Sequence, residues 1–267
     1  MQVGNSNTTT TPTTPRPKPA VKVAAPKMAP DTGLPGQVWA GASAGRKVSW
    51  TLSDIRAAQA DGKLYSLKDD LAKQMGVADL GPGATASATA RVKSLVGGVL
   101  SVQWTHDSYV PGDAHPDSGK AFKAVNLADP SKPIKLTDVF PEADVYKALM
   151  GDPIVKKALG TAQPKDLAAL QKALEYKQVK ANGHEYIFDP ELLGRFAIHH
   201  VQGGDAYVRL GLEAANGADR DAFTQLGLKL PIPADLRAEY QAAEAAGTLA
   251  KALDKVPAAK DMKAKLR

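Results

Sequence analysis

The chain of 267 residues carries a formal charge of +6, is 43% hydrophobic and 23% charged, and contains no cysteine. Such a chain can bury a sizeable core, while the lack of thiols excludes a disulfide framework, a thiol nucleophile and a thiolate zinc site. The positive excess sits at the ends, since residues 1–30 hold +4 and residues 247–267 another +4, leaving −2 between them, so the pI of 9.3 is set by the ends and no nucleic-acid partner is expected.

Residues 1–36 contain Pro12, Pro15, Pro17, Pro19, Pro26, Pro30 and Pro35, a Thr8 to Thr11 block and almost no large apolar side chain. A segment that cannot bury enough surface to offset its conformational entropy is predicted to be a disordered or semi-extended tether, with a proline-rich ligand for another domain as the functional alternative. It lacks the apolar stretch of a secretory signal. No run approaches the roughly 18 apolar residues of a transmembrane helix, so no transmembrane segment is expected.

From Gln37 the composition becomes globular, with Trp39 and Trp50 as core anchors. Thr51 or Ser53 is placed to cap a helix running to about Ala60, and Ser66 with Asp69 three residues on forms a capping box for a second helix ending before Gly76. Residues 85–96 alternate weakly up to Gly97-Gly98, and Val99, Leu100, Val102 and Trp104 resume the alternation, which predicts a hairpin on a Gly-Gly turn. Pro111, Gly112, Pro116 and Gly119 break the ladder between Tyr109 and Gly119, so a polar loop carrying His115 follows. A strand is expected over 121–127 and another turn at Asp129 to Pro133. Helices are predicted over 142–150, 153–159 and 164–175. A hairpin is predicted around Asn182-Gly183, with further strands over 195–201 and 206–212 and a strong Ala-rich helix over 235–246. The fold class is α+β, an antiparallel sheet of hairpins packed against several helices. The domain reading is a tail over 1–36, a globular domain over 37–246 and a basic, weakly helical tail over 247–267.

The order VLSVQW, Tyr109, Gly112-Asp-Ala-His-Pro116, a strand, Ile134-Lys-Leu-Thr-Asp-Val-Phe140, and then HEYIFDPELLGRFAIHHVQGGDAYVRLGL resembles the DUF3298 family over about residues 84–213. That family includes the extracytoplasmic domain of a lysozyme-binding anti-sigma factor and an accessory domain of a peptidoglycan deacetylase. Gly112, His115, Leu136, Asp138, Phe140, Tyr186, Phe188, Pro190 and Gly194 occupy its motif positions. Asp113 replaces a glycine of the usual pattern, and Glu191 replaces an aromatic residue. The resemblance implies a domain that binds a protein or a cell-wall component, with Tyr109, Asp113, His115, Tyr186 and Phe188 as the candidate binding residues. It also implies a secreted, periplasmic or cell-surface location, with a cytoplasmic one as the alternative.

Chemistry is sparse. His106, Asp107, Asp113, His115 and Asp117 fall within twelve positions, a composition that suits zinc, but the spacing matches no HExxH-type motif and no metal or cofactor is assigned. In a regular strand His199 and His200 point to opposite faces, so only one of them is expected at any single site. Were the protein an enzyme, His115 and His200 with Asp138, or alternatively Asp189, would make the acid/base set. Three readings follow: a non-catalytic binding protein recognising a muramidase-like protein or a cell-wall glycan, a histidine- or metal-dependent hydrolase of cell-wall material, and a structural or cargo protein attached through its N-terminal tail.

Overall fold

The computed structural model describes residues 37–51, 53–58, 64–215 and 222–255, so the tail read over 1–36 and most of the basic tail lie outside the described residues. The side chain of Trp39 lies outside them too. Among the described residues the architecture is α+β and wholly antiparallel, in three sheets. The first is a meander of β1 (Gln37–Ser43), β2 (Arg46–Thr51), β3 (Ile55–Ala58) and β4 (Leu64–Ser66), which runs directly into α1 (Leu67–Gln74). The second contains three long strands, β5 (Thr85–Val96), β6 (Val99–Tyr109) and β7 (Asp117–Asn126). The third is centred on β11 (Asp205–Ala214), flanked by β10 (Phe196–Gln202) and β12 (Phe223–Pro231), and its end is extended by the hairpin β8 (Gln178–Ala181) and β9 (His184–Ile187).

Helices α2 (Glu142–Gly151), α3 (Pro153–Leu159) and α4 (Leu167–Leu174) cover one face of the third sheet, and α5 (Arg237–Ala246) and α6 (Ala250–Leu253) pack beside β10 and β5. Among the described residues no helix is long and apolar enough to cross a membrane.

Two cores result. One lies between the third sheet and α2 to α5, built on Val208, Leu210, Leu226, Leu228, Phe140 and Tyr240. The other joins the first sheet and α1 to one face of the second sheet, through Trp50, Ile55, Leu71, Val92, Val102 and Trp104. The second sheet's other face meets β10 and β11. There Phe122 stands edge-on to Phe223 at 5.3 Å, and Ser94 Oγ accepts the Ile198 N–H at 3.1 Å. A strand buried on both faces cannot alternate cleanly in polarity, which is why Ser94 through Val96 are all buried.

The turn chemistry forms as predicted. Gly97 and Gly98 take φ of 63° and 70°, and Asn182 and Gly183 take 52° and 85°, the doubly left-handed pattern that lets a two-residue turn match strand twist. Ser66 Oγ accepts the Asp69 N–H at 3.1 Å and caps α1.

The helix expected from Thr51 or Ser53 to Ala60 is instead the turn into β3. Thr51 Oγ1 accepts the N–H groups of Ser53 (3.2 Å) and Asp54 (2.9 Å), and the Thr51 N–H donates to the Asp54 carbonyl at 2.8 Å. The same hydroxyl chemistry that caps a helix here closes a hairpin, because Ile55 and Ala57 are core residues while Arg56 between them is exposed. The strand expected over 121–127 begins four residues earlier, at Asp117, and α4 starts behind the Asp166 cap rather than at Pro164. Past Ala246 the chain stays packed, with Leu249, Ala250 and Leu253 each 1% exposed.

Candidate functional site

The long hairpin of β5 and β6 has a closed end at Gly97-Gly98 and an open end at Thr85 and Tyr109, where the chain turns into β7. Pro111 and Gly112 form the corner of that turn. The Asp113 N–H donates to the Val110 carbonyl at 3.0 Å, and Gly112 takes a φ of 104°, a conformation that strains any residue with a Cβ. Residues 111–117 are then exposed without a break. Asp113 and His115 stand on this loop.

At the open end lies a half-open groove of about 340 Å³, lined by Thr85, Ala86 and Ser87 of β5, Asp107, Ser108 and Tyr109 of β6, and Pro116. The cross-strand pairs Thr85–Tyr109 and Ser87–Asp107 place an aromatic ring, two hydroxyls and a carboxylate on one face of the hairpin end, while the pair Ala86–Ser108 alternates to the other face. Tyr109 is 37% exposed, whereas most large hydrophobic side chains are buried. Tyr109 and Thr85 are cross-strand partners, so the ladder itself sets the width of the groove.

Of the other candidate binding residues, Tyr186 and Phe188 are 2% and 1% exposed and belong to the core beneath the third sheet. This corrects the expectation that they face a ligand: the short β8–β9 hairpin turns that side of the strand inward against helices α2 to α4. His106 sits on β6 opposite Gly119, with its ring where a Cβ on Gly119 would come within 2.6 Å. Its ring lies 4.8 Å from that of Trp104, and Nε2 is 3.8 Å from Asp117 Oδ2.

The residues considered for acid/base chemistry have separate settings. Asp138 Oδ2 accepts the Lys135 N–H at 2.7 Å and holds the 3-10 turn over Leu136–Asp138. Asp189 Oδ2 pairs with Arg195 at 3.0 Å, and Arg195 also pairs with Glu213. Burial raises the Glu213 carboxyl above its ordinary range, against the opposing pull of Arg195.

His199 and His200 do meet each other. The ladder with β11 shifts register between Ile198 and His200, a bulge that breaks strict alternation, and the two Nδ1 atoms lie 2.9 Å apart. The expectation that only one of the two could serve a single site is therefore wrong. His200 also stacks on its cross-strand partner Tyr207 at 4.3 Å. Desolvation holds the His199 imidazolium form down, with Arg209 and His200 adding to it and Asp254 opposing. Among the described residues no group of three or more His, Asp or Glu is placed to hold a metal ion.

Thr85, Ala86, Ser87 and Ser108 are not singled out in the sequence, where Asp107 stands out only within the His/Asp cluster and Pro116 only as a breaker of the ladder and a residue of the loop motif. A signal existed, because a two-residue turn at Gly97-Gly98 fixes the register and places Ala86 opposite Tyr109. A bulge between Val92 and Ser94 moves that partner by one, to Thr85.

No protein-family model, no curated protein and no solved structure matches this chain.

Proposed function

We propose that this protein is a non-catalytic binding protein of the bacterial cell-envelope or secreted type, related to the DUF3298 domains, which recognises a muramidase-like protein or a cell-wall glycan through the groove at Tyr109. The observation that carries this reading is the groove itself, whose lining combines an exposed tyrosine and a proline with threonine, serine and aspartate. Aromatic side chains are the usual anchors of protein interfaces. Their flat faces also suit the apolar faces of sugar rings, while rim hydroxyls and a carboxylate serve the sugar hydroxyls. Asp113 and His115 stand on the exposed loop that follows Tyr109 in the chain.

The separate engagements of Asp138, Asp189 and His200 favour binding over hydrolysis, because an acid/base mechanism needs its groups within hydrogen-bond reach of one reacting atom. Calorimetry against lysozyme and against soluble peptidoglycan fragments tests the reading. Binding at micromolar Kd is expected, with an affinity about tenfold weaker in Tyr109→Ala. Absence of binding to both at high micromolar concentration removes the basis of the proposal.

A further inference from the structure

Ile198 belongs to the core beneath the third sheet, so an uninterrupted β10 would turn His200 inward and His199 outward. The register shift between Ile198 and His200 changes that. Val201 packs on the same core instead, and the two imidazoles meet. We propose that His199 and His200 share one proton along the line between their Nδ1 atoms and form an acid-sensitive latch, which holds the bulged end of β10 while at most one ring is charged and releases it when both are.

The rings are aligned for a hydrogen bond. Their centroids lie 5.1 Å apart, their planes cross at 82°, and the Nδ1 atoms are 2.9 Å apart. Two imidazoles joined by a straight N–H···N bond of this length have centroids about 5.2 Å apart, so the lone pair of one Nδ1 faces the N–H of the other. A metal ion held by both nitrogens at about 2.1 Å would have to lie well off that line, so the alignment suits a proton. His200 is fixed from its other face by Tyr207, stacked at 4.3 Å and 13°.

The pair can hold only one extra proton. When neutral it needs one Nδ1–H and one bare Nδ1, which the two ordinary tautomers supply. A first added proton settles on the bare Nε2 of the donor ring and leaves the bridge in place, now charge-assisted. A second must settle on the accepting Nδ1, and two N–H groups then face each other across 2.9 Å, with their hydrogens about 0.9 Å apart. The rings must part.

The neighbouring charges set where in pH this happens. Arg209 and Tyr207 act on the pair from β11 and Lys93 from β5. Asp254, just past α6, pairs with Lys93 and gives its backbone carbonyl to Arg91 at 2.7 Å. From α5, Glu244 Oε2 accepts the Val201 N–H at 3.3 Å. Lys229, the cross-strand partner of Tyr207, is held by Asp205 at 3.1 Å. Desolvation first, then Arg209 and His200, disfavour the imidazolium form of His199, with Asp254 opposing and Lys93 adding. The doubly charged pair therefore forms only on the acid side of the ordinary imidazole value of about 6.5. Parting the rings undoes the bulge, and with it the packing of Val201 and its bond to Glu244. The segment 199–204, which ends in the left-handed Gly203 and Gly204, then leaves α5 while Phe196 to Ile198 stay paired with β11.

Selective nitrogen-15 labelling of histidine in the full chain reads the bridge. At about pH 7.5 a nitrogen–nitrogen coupling across the hydrogen bond is expected between the two Nδ1 atoms, and its absence overturns the proposal. Hydrogen exchange reads the latch, as protection of the Val201 amide relative to that of Leu210, buried in the centre of β11. Between about pH 7.5 and 5 this ratio is expected to fall about tenfold, together with the coupling; a constant ratio overturns the latch. In His199→Gln and in His200→Gln, which cannot set two charges side by side, the ratio is expected to be equal at both pH values. A fall as large as in the unsubstituted protein would assign the change to Glu244 or Asp254 and overturn it too. His115→Gln, on the exposed loop, is expected to keep the fall, and its loss there would place the sensing histidine elsewhere. The coupling is measured on the unsubstituted protein, so it decides even where a variant fails to fold.

Discussion

Asp54 is 3% exposed and ties the first sheet to α1. Its Oδ1 accepts the Ile55 N–H at 2.8 Å and the Lys68 N–H, in the first turn of α1, at 3.0 Å. Its Oδ2 accepts the Ser66 hydroxyl at 2.9 Å and Arg56 Nε–H at 2.9 Å. The Ser66 hydroxyl, held by Asp54 as donor, is the same group that accepts the Asp69 N–H and caps the helix. In Asp54→Ala the Arg56 head, with 45% of its side chain exposed, returns to water at little cost. The Ile55 amide stays buried and the Lys68 amide and Ser66 hydroxyl half-buried, and each such donor left without a partner costs about 1–2 kcal/mol. The expected loss is about 3–5 kcal/mol, a fall in Tm on the order of 10 °C for a chain of this size. Asp54→Asn keeps one oxygen for the two amides but turns its NH₂ toward Arg56, and should lose about 1–2 kcal/mol. Urea unfolding followed by tryptophan fluorescence reads this directly, because Trp50 is fully buried in the same core. A loss under about 1 kcal/mol for Asp54→Ala, or equal losses for the two variants, would refute the reasoning.

Phe188 and Tyr109 should separate stability from recognition. Phe188→Ala empties a core site and costs about 3–5 kcal/mol in denaturant, whereas Tyr109→Ala, at the rim, should shift stability by less than about 0.5 kcal/mol while weakening calorimetric binding. Gly119→Ala places a methyl 2.6 Å from His106 Cε1, and should cost about 1–3 kcal/mol by overpacking; adding His106→Ala should recover part of that loss in the same melts. The imidazolium form of His199 is disfavoured in the folded state, chiefly by desolvation, then by Arg209 and His200, with Lys93 adding and Asp254 opposing. A depressed pKa gives stability that is fully present above the unfolded value of about 6.5 and lost as pH falls below it. His199→Gln should therefore flatten the decline of the urea midpoint below pH 6.5; an unchanged slope would show that the neighbouring charges do not act as described.

How much of this was legible in the sequence depended on the range of the interaction. The Ser66/Asp69 cap, the Gly97-Gly98 and Asn182-Gly183 turns and the helices over 142–159 are decided within a few residues, by side chains that satisfy nearby backbone groups or permit left-handed φ. Those features, with the alternation of residues 85–96, were enough for the α+β class and for the strand, loop and strand around His115. The same local signals misled at Thr51, whose hydroxyl serves a hairpin turn as readily as a helix cap, and only the burial of Ile55 and Ala57 against Trp50 selects the strand.

Burial on both faces and bulges were beyond the sequence, because each depends on partners distant along the chain. Tyr186 and Phe188 read as aromatic motif residues whether they face a ligand or a core; the helices packed over β8 and β9 put them inside. The bulge at His199 exists only against β11, and it brings together two rings that a regular strand would hold apart. The Tyr109 to Gly119 segment drew attention for its histidine and aspartates, and the sequence by itself determined that it is an exposed turn. The tertiary structure decided that the concave surface lies one step back, where Tyr109 closes on Thr85, because a groove is made by the spacing between strands and not by the composition of a loop.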